Sequence, residues 1–162
     1  MKPNVIIELK PYLHDYLYHE FGCMPSDDGV NVTAANDIGK FIQAMVTVTD
    51  RPPKQAIKEH PIKLYLPIQE WNHFILQENF IYIPEWKQHM LQSYIEASFR
   101  IRVREYFVAG YEKGYKQDRI VRAFLMAYNI KNNAISYDAV KKFGYRNRRR
   151  MVKEVNRDIQ LS

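Results

Sequence analysis

The segment that follows Pro84 contains no glycine and no further proline until Gly110, and it constrains the fold more than any other part of the 162-residue chain. Proline suits the first turn of a helix, because the backbone N–H that it lacks has no partner there. We therefore predict one long helix from about residue 85 to residue 109.

An apolar stripe along this predicted helix has two interpretations. Its members follow one another at spacings of four, three, four and seven residues: Met90, Tyr94, Ala97, Ile101 and Val108. Arg104 occupies the position that would complete the heptad. Fewer than three full heptads are present, so we expect the stripe to pack against the protein's own core. A seam between two copies of the chain, in a homodimer, is the alternative.

The first 83 residues predict a part that mixes strands and helices. An apolar run at residues 4–9 is either a strand or the lead into a helix. Pro11 begins a helix that Gly22 ends, and Asn36 or Asp37 caps another. The remaining candidates are strands at 62–66 and 80–83 and, around 71–75, either a short helix or an aromatic loop.

The last third of the chain predicts a helical module that is typical of helix-turn-helix proteins. Asp118 caps a first helix. Ser136 caps a short helix over 137–143, and Gly144 permits a left-handed turn that other residues resist. A final helix extends from about residue 146 to residue 160.

The final helix departs from the familiar helix-turn-helix pattern, which places apolar residues six and nine positions after the turn glycine. Arg150 and Lys153 stand at those two positions, and the apolar pair Val152 and Val155 comes two residues later. A longer turn and a different packing of three helices both remain open.

Together these patterns predict an α+β fold that is mostly helical, in three parts. Residues 1–83 form a small mixed α+β part. Residues 84–115 form the long central helix and a linker. Residues 116–162 form the C-terminal, tri-helical, helix-turn-helix-like basic module.

Charge is divided unevenly along the chain. From Arg100 to Ser162 there are 16 Lys or Arg and 6 Asp or Glu, whereas from Met1 to Phe99 there are 8 and 12. The formal net charge of +6 therefore comes entirely from the C-terminal part. Such asymmetry indicates a polyanionic partner for one end of the molecule.

The final helix separates cations from apolar residues. At 100° per residue, one arc of about 100° holds four apolar side chains: Met151, Val152, Val155 and Ile159. The opposite arc holds five cations: Arg146, Arg149, Arg150, Lys153 and Arg157. We expect the apolar arc to pack on the core and the cations to contact phosphates, with Tyr145 and Asn147 as further contacts. That Tyr145 is simply a packing residue is an equally good interpretation.

The arginines crowd the predicted start of the helix, where the helix dipole disfavours cations. A bound anion is therefore expected there.

The segment from Tyr128 to Arg150, with Ile135-Ser136-Tyr137-Asp138 and Tyr145-Arg146-Asn147-Arg148 within it, resembles the C-terminus of small proteins from bacterial mobile elements and prophages. The resemblance covers less than a quarter of the chain. It implies a gene-regulatory or DNA-maintenance setting and no defined activity.

The sequence offers no motif for catalysis or metal binding. His14 and His19 are five residues apart, whereas two imidazoles on one helical face need a spacing of four. The scattered glycines form no phosphate-binding loop and no Gly-x-Ser-x-Gly elbow. The single cysteine, Cys23, cannot form an internal disulfide, which favours a reducing compartment. No apolar run is long enough to span a membrane. We therefore expect a cytoplasmic, non-enzymatic protein without cofactor, metal or membrane association.

The leading hypothesis is a DNA-binding protein that uses the basic C-terminal helix, with DNA favoured over RNA. One alternative is a protein–protein adaptor or structural protein whose basic helix meets an acidic partner. An RNA-binding protein is another.

Overall fold

The structure, a computed structural model, describes residues 2–54, 56–70 and 72–162, and for residues 145–151 it describes the backbone alone. In chain order its elements are β1 (Asn4–Glu8), α1 (Pro11–Glu20), β2 (Val30–Asn31), α2 (Asp37–Met45), β3 (Thr47–Thr49), β4 (Pro61–Tyr65), α3 (His73–Glu78), β5 (Phe80–Tyr82), α4 (Glu85–Glu112), α5 (Gln117–Ala127) and α6 (Ala134–Leu161). The α+β prediction, mostly helical with a small N-terminal sheet and a long helix, is confirmed. The chain divides into two units, Met1–Glu96 and Ala97–Ser162.

The first unit contains two small sheets. β4 lies between β1, to which it is antiparallel, and β2, to which it is parallel. Strand residues alternate between buried and partly exposed, so that Val5 and Ile7 of β1 and Ile62 and Leu64 of β4 are buried. This period of two is what a sheet with one core face requires. The second sheet pairs β3 with β5 in antiparallel orientation.

Local chemistry sets two helix ends of the first unit as predicted. Gly22 has a φ of 64°, and the backbone N–H of Cys23 donates to the carbonyl oxygen of Tyr18 at 2.8 Å. This is the glycine-terminated helix end that a side chain would strain. At the start of α2, the Asn36 side chain accepts a hydrogen bond of 2.8 Å from the backbone N–H of Gly39.

The predicted core face of α4 is wrong. The buried stripe repeats every four residues and consists of Leu91, Ile95, Phe99, Val103 and Phe107, each no more than 2% exposed. Met90, Ile101 and Val108 of the predicted stripe are 47%, 53% and 48% exposed. α4 therefore carries two apolar stripes. The stripe from Leu91 to Phe107 is the buried one because it has more large apolar side chains, so its burial removes more apolar area from water.

The second unit is built around aromatic side chains of α4 and α5. Phe99 meets Phe124 edge-on, with ring centroids 5.5 Å apart, and Tyr106 meets Phe124 at 5.2 Å. Tyr128 stacks on Phe124 at 4.6 Å. Such ring pairs add to the free energy gained by burial alone.

The predicted turn at Gly144 is wrong, because α6 continues through it without interruption. A Cβ atom at this position would lie 2.3 Å from ring atoms of Phe107. Gly144 therefore allows α6 to approach α4 closely, and it does not provide a left-handed turn.

The start of α6 also differs from the prediction. Asn133, and not Ser136, is the cap, and the Asn133 side chain accepts a hydrogen bond of 2.9 Å from the backbone N–H of Ser136.

Asp118, predicted as a cap, lies in the first turn of α5 and links α5 to α6. The Tyr137 hydroxyl donates to Asp118 Oδ1 at 2.5 Å, and Arg122 Nε lies 3.0 Å from Asp118 Oδ2. The hydrogen bond from Tyr137, followed by that from Arg122, lowers the pKa of the Asp118 carboxyl. The same hydrogen bond raises the pKa of Tyr137.

We expect Asp118→Asn to lower the free energy of unfolding at pH 7, because the amide keeps the shape of the carboxylate but loses its charge. A carboxylate whose folded-state pKa is lowered stabilises the fold above its unfolded-state pKa of about 3.9, and this stabilisation disappears as pH falls through the folded-state value. Urea denaturation of both proteins at neutral and acidic pH measures the difference. A difference that stays constant down to about pH 2 would contradict a charge-dependent contribution.

Candidate nucleic-acid interface

The two halves of α6 have different surroundings. In the first half Ser136, Val140 and Gly144 are buried at a spacing of four residues, so this half packs on the second unit. From Val152 to Ser162 every residue is exposed. This helix is therefore packed at its beginning and largely exposed along its end, where Val152 and Val155 border α4.

The expected packing of the apolar arc on the core is wrong for its three described side chains. Val152, Val155 and Ile159 are 53%, 52% and 66% exposed. Val152 and Val155 line a cavity of about 270 Å³ that Phe107, Val108 and Tyr111 of α4 also line. This face of α6 therefore lies beside α4 without being packed closely against it. Met151, the fourth residue of the arc, lies outside the described side chains.

We call the part of α6 after Gly144, residues 145–161, its free half. Two of the predicted phosphate-contacting cations, Lys153 and Arg157, are exposed on it. Arg157 Nε lies 3.7 Å from Asp158 Oδ1, with both side chains about 70% exposed, so this pair restrains the arginine little. Within the described part of the chain, Lys153 makes no ion pair. Both cations are thus open to a partner.

The other predicted contacts lie where only the backbone is described: Tyr145, Arg146, Asn147, Arg149 and Arg150. The backbone is helical throughout this segment. Because the helix is continuous, positions 146, 149 and 150 share a face with positions 153 and 157 by the 100° rotation per residue.

The continuous helix changes two further inferences. Position 142 joins the same face, so exposed Lys142 belongs with the cations, although the sequence reasoning assigned it to a separate helix. The helix-dipole argument for a bound anion is wrong, because α6 begins at Ala134 and the arginines lie near its middle. The dipole effect falls off within the first turn.

The division of charge coincides with the border between the two units. Residues 97–99 carry no charge, so the second unit holds all 16 Lys or Arg and 6 Asp or Glu of the basic part. Several of its cations have acidic partners within the unit, as in the pair Arg102–Glu105 at 3.3 Å and the pair Arg122–Asp118 at 3.0 Å. The free half of α6 keeps six Lys or Arg against two Asp or Glu in residues 145–162.

Other kinds of site are not evident in the described residues. No group of three or more His, Cys, Asp or Glu among them is placed to hold a metal ion. His14, singled out in the sequence, places Nε2 2.7 Å from the carbonyl oxygen of Leu9, a contact within the fold. Of the helices that the structure describes, none has the length and apolar character needed to cross a bilayer.

Comparisons of the chain with protein-family models, with curated proteins and with solved structures found no match.

Proposed function

We propose that this protein binds duplex DNA, without catalysing a reaction, through the free half of α6. The observation that supports this most directly is the exposure of every residue from Val152 to Ser162 on a helix that continues 17 residues past Gly144. The major groove of B-DNA admits an α-helix. The positions of the cations lie on the arc opposite Val152 and Val155, which border α4, so the cationic face is directed away from α4.

The size of the free half suits this role. Seventeen helical residues extend about 25 Å, which is most of one turn of B-DNA at about 34 Å. Six cations share one face and would contact phosphates: Lys142, Arg146, Arg149, Arg150, Lys153 and Arg157. Tyr145 and Asn147 lie within the same segment and would contact phosphate or, for Asn147, an adenine edge.

Duplex DNA is favoured over duplex RNA by the shape of the grooves. The major groove of A-form RNA is too deep and narrow for side chains of a helix to read. The exposed helix fits the wider groove of DNA. A cytoplasmic bacterial regulator, in a mobile-element or prophage setting, is the context in which we place this binding.

A second candidate, an adaptor that binds an acidic protein, is favoured by one observation. Val152, Val155 and Ile159 are more than half exposed on the arc opposite the cations, and phosphates give such a face no apolar partner. In that case the apolar residues would contribute to binding, and their replacement by serine would weaken it. Binding to DNA, in contrast, would depend on the cations.

Fluorescence anisotropy with a labelled mixed-sequence duplex of about 25 base pairs tests the proposal. At about 50 mM salt we expect saturable binding with a dissociation constant of about 1 µM or tighter. Unlabelled DNA should displace the probe at lower concentrations than a duplex RNA of equal length or polyglutamate. Absence of binding at this salt concentration would overturn the proposal, and stronger displacement by RNA or by polyglutamate would favour the corresponding alternative.

A further inference from the structure

A cavity of about 530 Å³, open to solvent on one side, lies between the end of α4 and the beginning of α5, within the second unit. Its volume falls in the range of small-molecule sites, which is about 300–1,000 Å³. Small side chains leave this space open, because Ala109 and Gly110 line it from α4 and Ala123 lines it from α5. The buried Ile120 and the ring of Tyr106 complete the apolar part of the lining.

Gly110 brings the two helices together beside this cavity. A Cβ atom at Gly110 would lie 2.6 Å from Cγ1 of Ile120. The Tyr106 ring makes edge-on contacts with the rings of Phe124 and Tyr128, with centroids 5.2 Å and 5.9 Å apart. These contacts restrain its position. The two large apolar side chains of the lining, Tyr106 and Ile120, are therefore fixed by packing, which favours a preformed site.

The rim of the cavity is cationic. The Arg119 guanidinium lies over the ring of Tyr115, 5.0 Å from its centroid, and Lys113 lines the same cavity. Neither cation forms an ion pair with a described residue. Glu105, an acidic lining residue, is engaged by Arg102 at 3.3 Å, which leaves the rim with a positive balance.

We propose that this cavity binds a small amphipathic carboxylate, such as a medium-chain fatty acid. The apolar chain lies against Ala109, Ala123 and Ile120, and the carboxylate meets Lys113 and Arg119. A nucleotide fits less well, because the apolar part of the lining offers no set of donors and acceptors for the edge of a base. This site is separate from α6 and does not depend on the proposed binding of DNA.

Isothermal titration calorimetry with decanoate, and with decanol as its neutral counterpart, tests the site. We expect one decanoate per chain with a dissociation constant on the order of tens of micromolar. Decanol should bind at least about fivefold more weakly, because it lacks the charge that the rim attracts.

Substitutions on one helix locate the ligand. Ala123→Trp fills the cavity and should reduce decanoate affinity by at least about twentyfold, whereas the matched control Met126→Trp, at a position 83% exposed on α5, should have no effect. Changing Lys113 and Arg119 together to glutamine should reduce decanoate affinity about fivefold or more and leave decanol unchanged. Changing the exposed Lys40 and Arg51 together to glutamine is the control with the same change of charge. Circular dichroism verifies that each variant is folded.

Absence of saturable decanoate binding up to about 1 mM would overturn the proposal, since that limit corresponds to only about 4 kcal/mol. Equal binding by the Ala123→Trp and Met126→Trp variants would overturn the location. Equal binding of decanoate and decanol would overturn the choice of an anion.

Discussion

Changing Arg149, Arg150 and Lys153 together to glutamate is expected to reduce duplex affinity by at least about a hundredfold at moderate salt, because three phosphate contacts are replaced by repulsion. The fold should be unaffected. Lys153 lies in the fully exposed part of α6, and substitutions at such positions usually change stability by no more than about 0.5 kcal/mol. Anisotropy titration measures the affinity, and circular dichroism with urea denaturation measures the stability.

A control with matched charge separates the site from the net charge of the molecule. Changing Lys40, Arg51 and Lys54 to glutamate, all exposed in the first unit, also lowers the formal net charge from +6 to zero. We expect this control to bind DNA nearly as well as the unaltered protein. Equal loss in both variants would show that net charge, and not α6, determines binding. Unfolding of the α6 variant would show that the three cations are structural.

The second large effect is expected at Gly144. In an open helix interior, Gly→Ala usually stabilises a protein by about 0.5–1 kcal/mol. At Gly144 the new Cβ would meet the Phe107 ring, which is 2% exposed and borders the cavity between α4 and α6. Overpacking of this kind typically lowers the free energy of unfolding by about 1–3 kcal/mol. Urea denaturation of Gly144→Ala measures the loss.

A double-mutant cycle identifies the cause of that loss. In a Phe107→Leu background the smaller side chain leaves room for the Cβ, so Gly144→Ala should become neutral or stabilising. The coupling between two residues in contact is typically about 0.5–3 kcal/mol. If Gly144 instead provided a left-handed turn, alanine would be equally unfavourable in both backgrounds, and that result would contradict a continuous α6.

Features that depend on neighbouring residues in the chain could be predicted from the sequence. The end of α1 at Gly22, the cap of α2 at Asn36 and the beginning of α4 after Pro84 all follow from local backbone chemistry. Each of them satisfies orphan backbone groups within a few residues, so no knowledge of the tertiary structure is needed.

Features that depend on tertiary packing could not be predicted in the same way. Two apolar stripes compete on α4, and only the packed core selects the one with Leu91 and Phe99. A glycine can supply a turn or a close helix contact, and the Phe107 ring beside Gly144 is not evident from the sequence. Because α6 is continuous and begins at Ala134, the arginines lie near its middle, and the predicted anion at a helix start has no support.

The candidate site contains some features that could be predicted from the sequence and others that depend on tertiary packing. The common face of positions 146, 149, 150, 153 and 157 follows from helix geometry and is unchanged by the longer helix. Lys142 was missed because a predicted turn separated it from that face. The exposure of Val152 and Ile159 was also missed, since amphipathic patterning predicts an apolar face but not which partner covers it.

The salt dependence of duplex binding tests the central claim most directly. Anisotropy titrations between about 50 and 200 mM salt give the slope of log affinity against log salt concentration, which is about −0.9 for each phosphate neutralised. If all six proposed cations, Lys142, Arg146, Arg149, Arg150, Lys153 and Arg157, contact phosphates, the slope should be roughly −5. A slope near zero, or no binding at the lowest salt concentration, would contradict the proposal that the free half of α6 binds DNA.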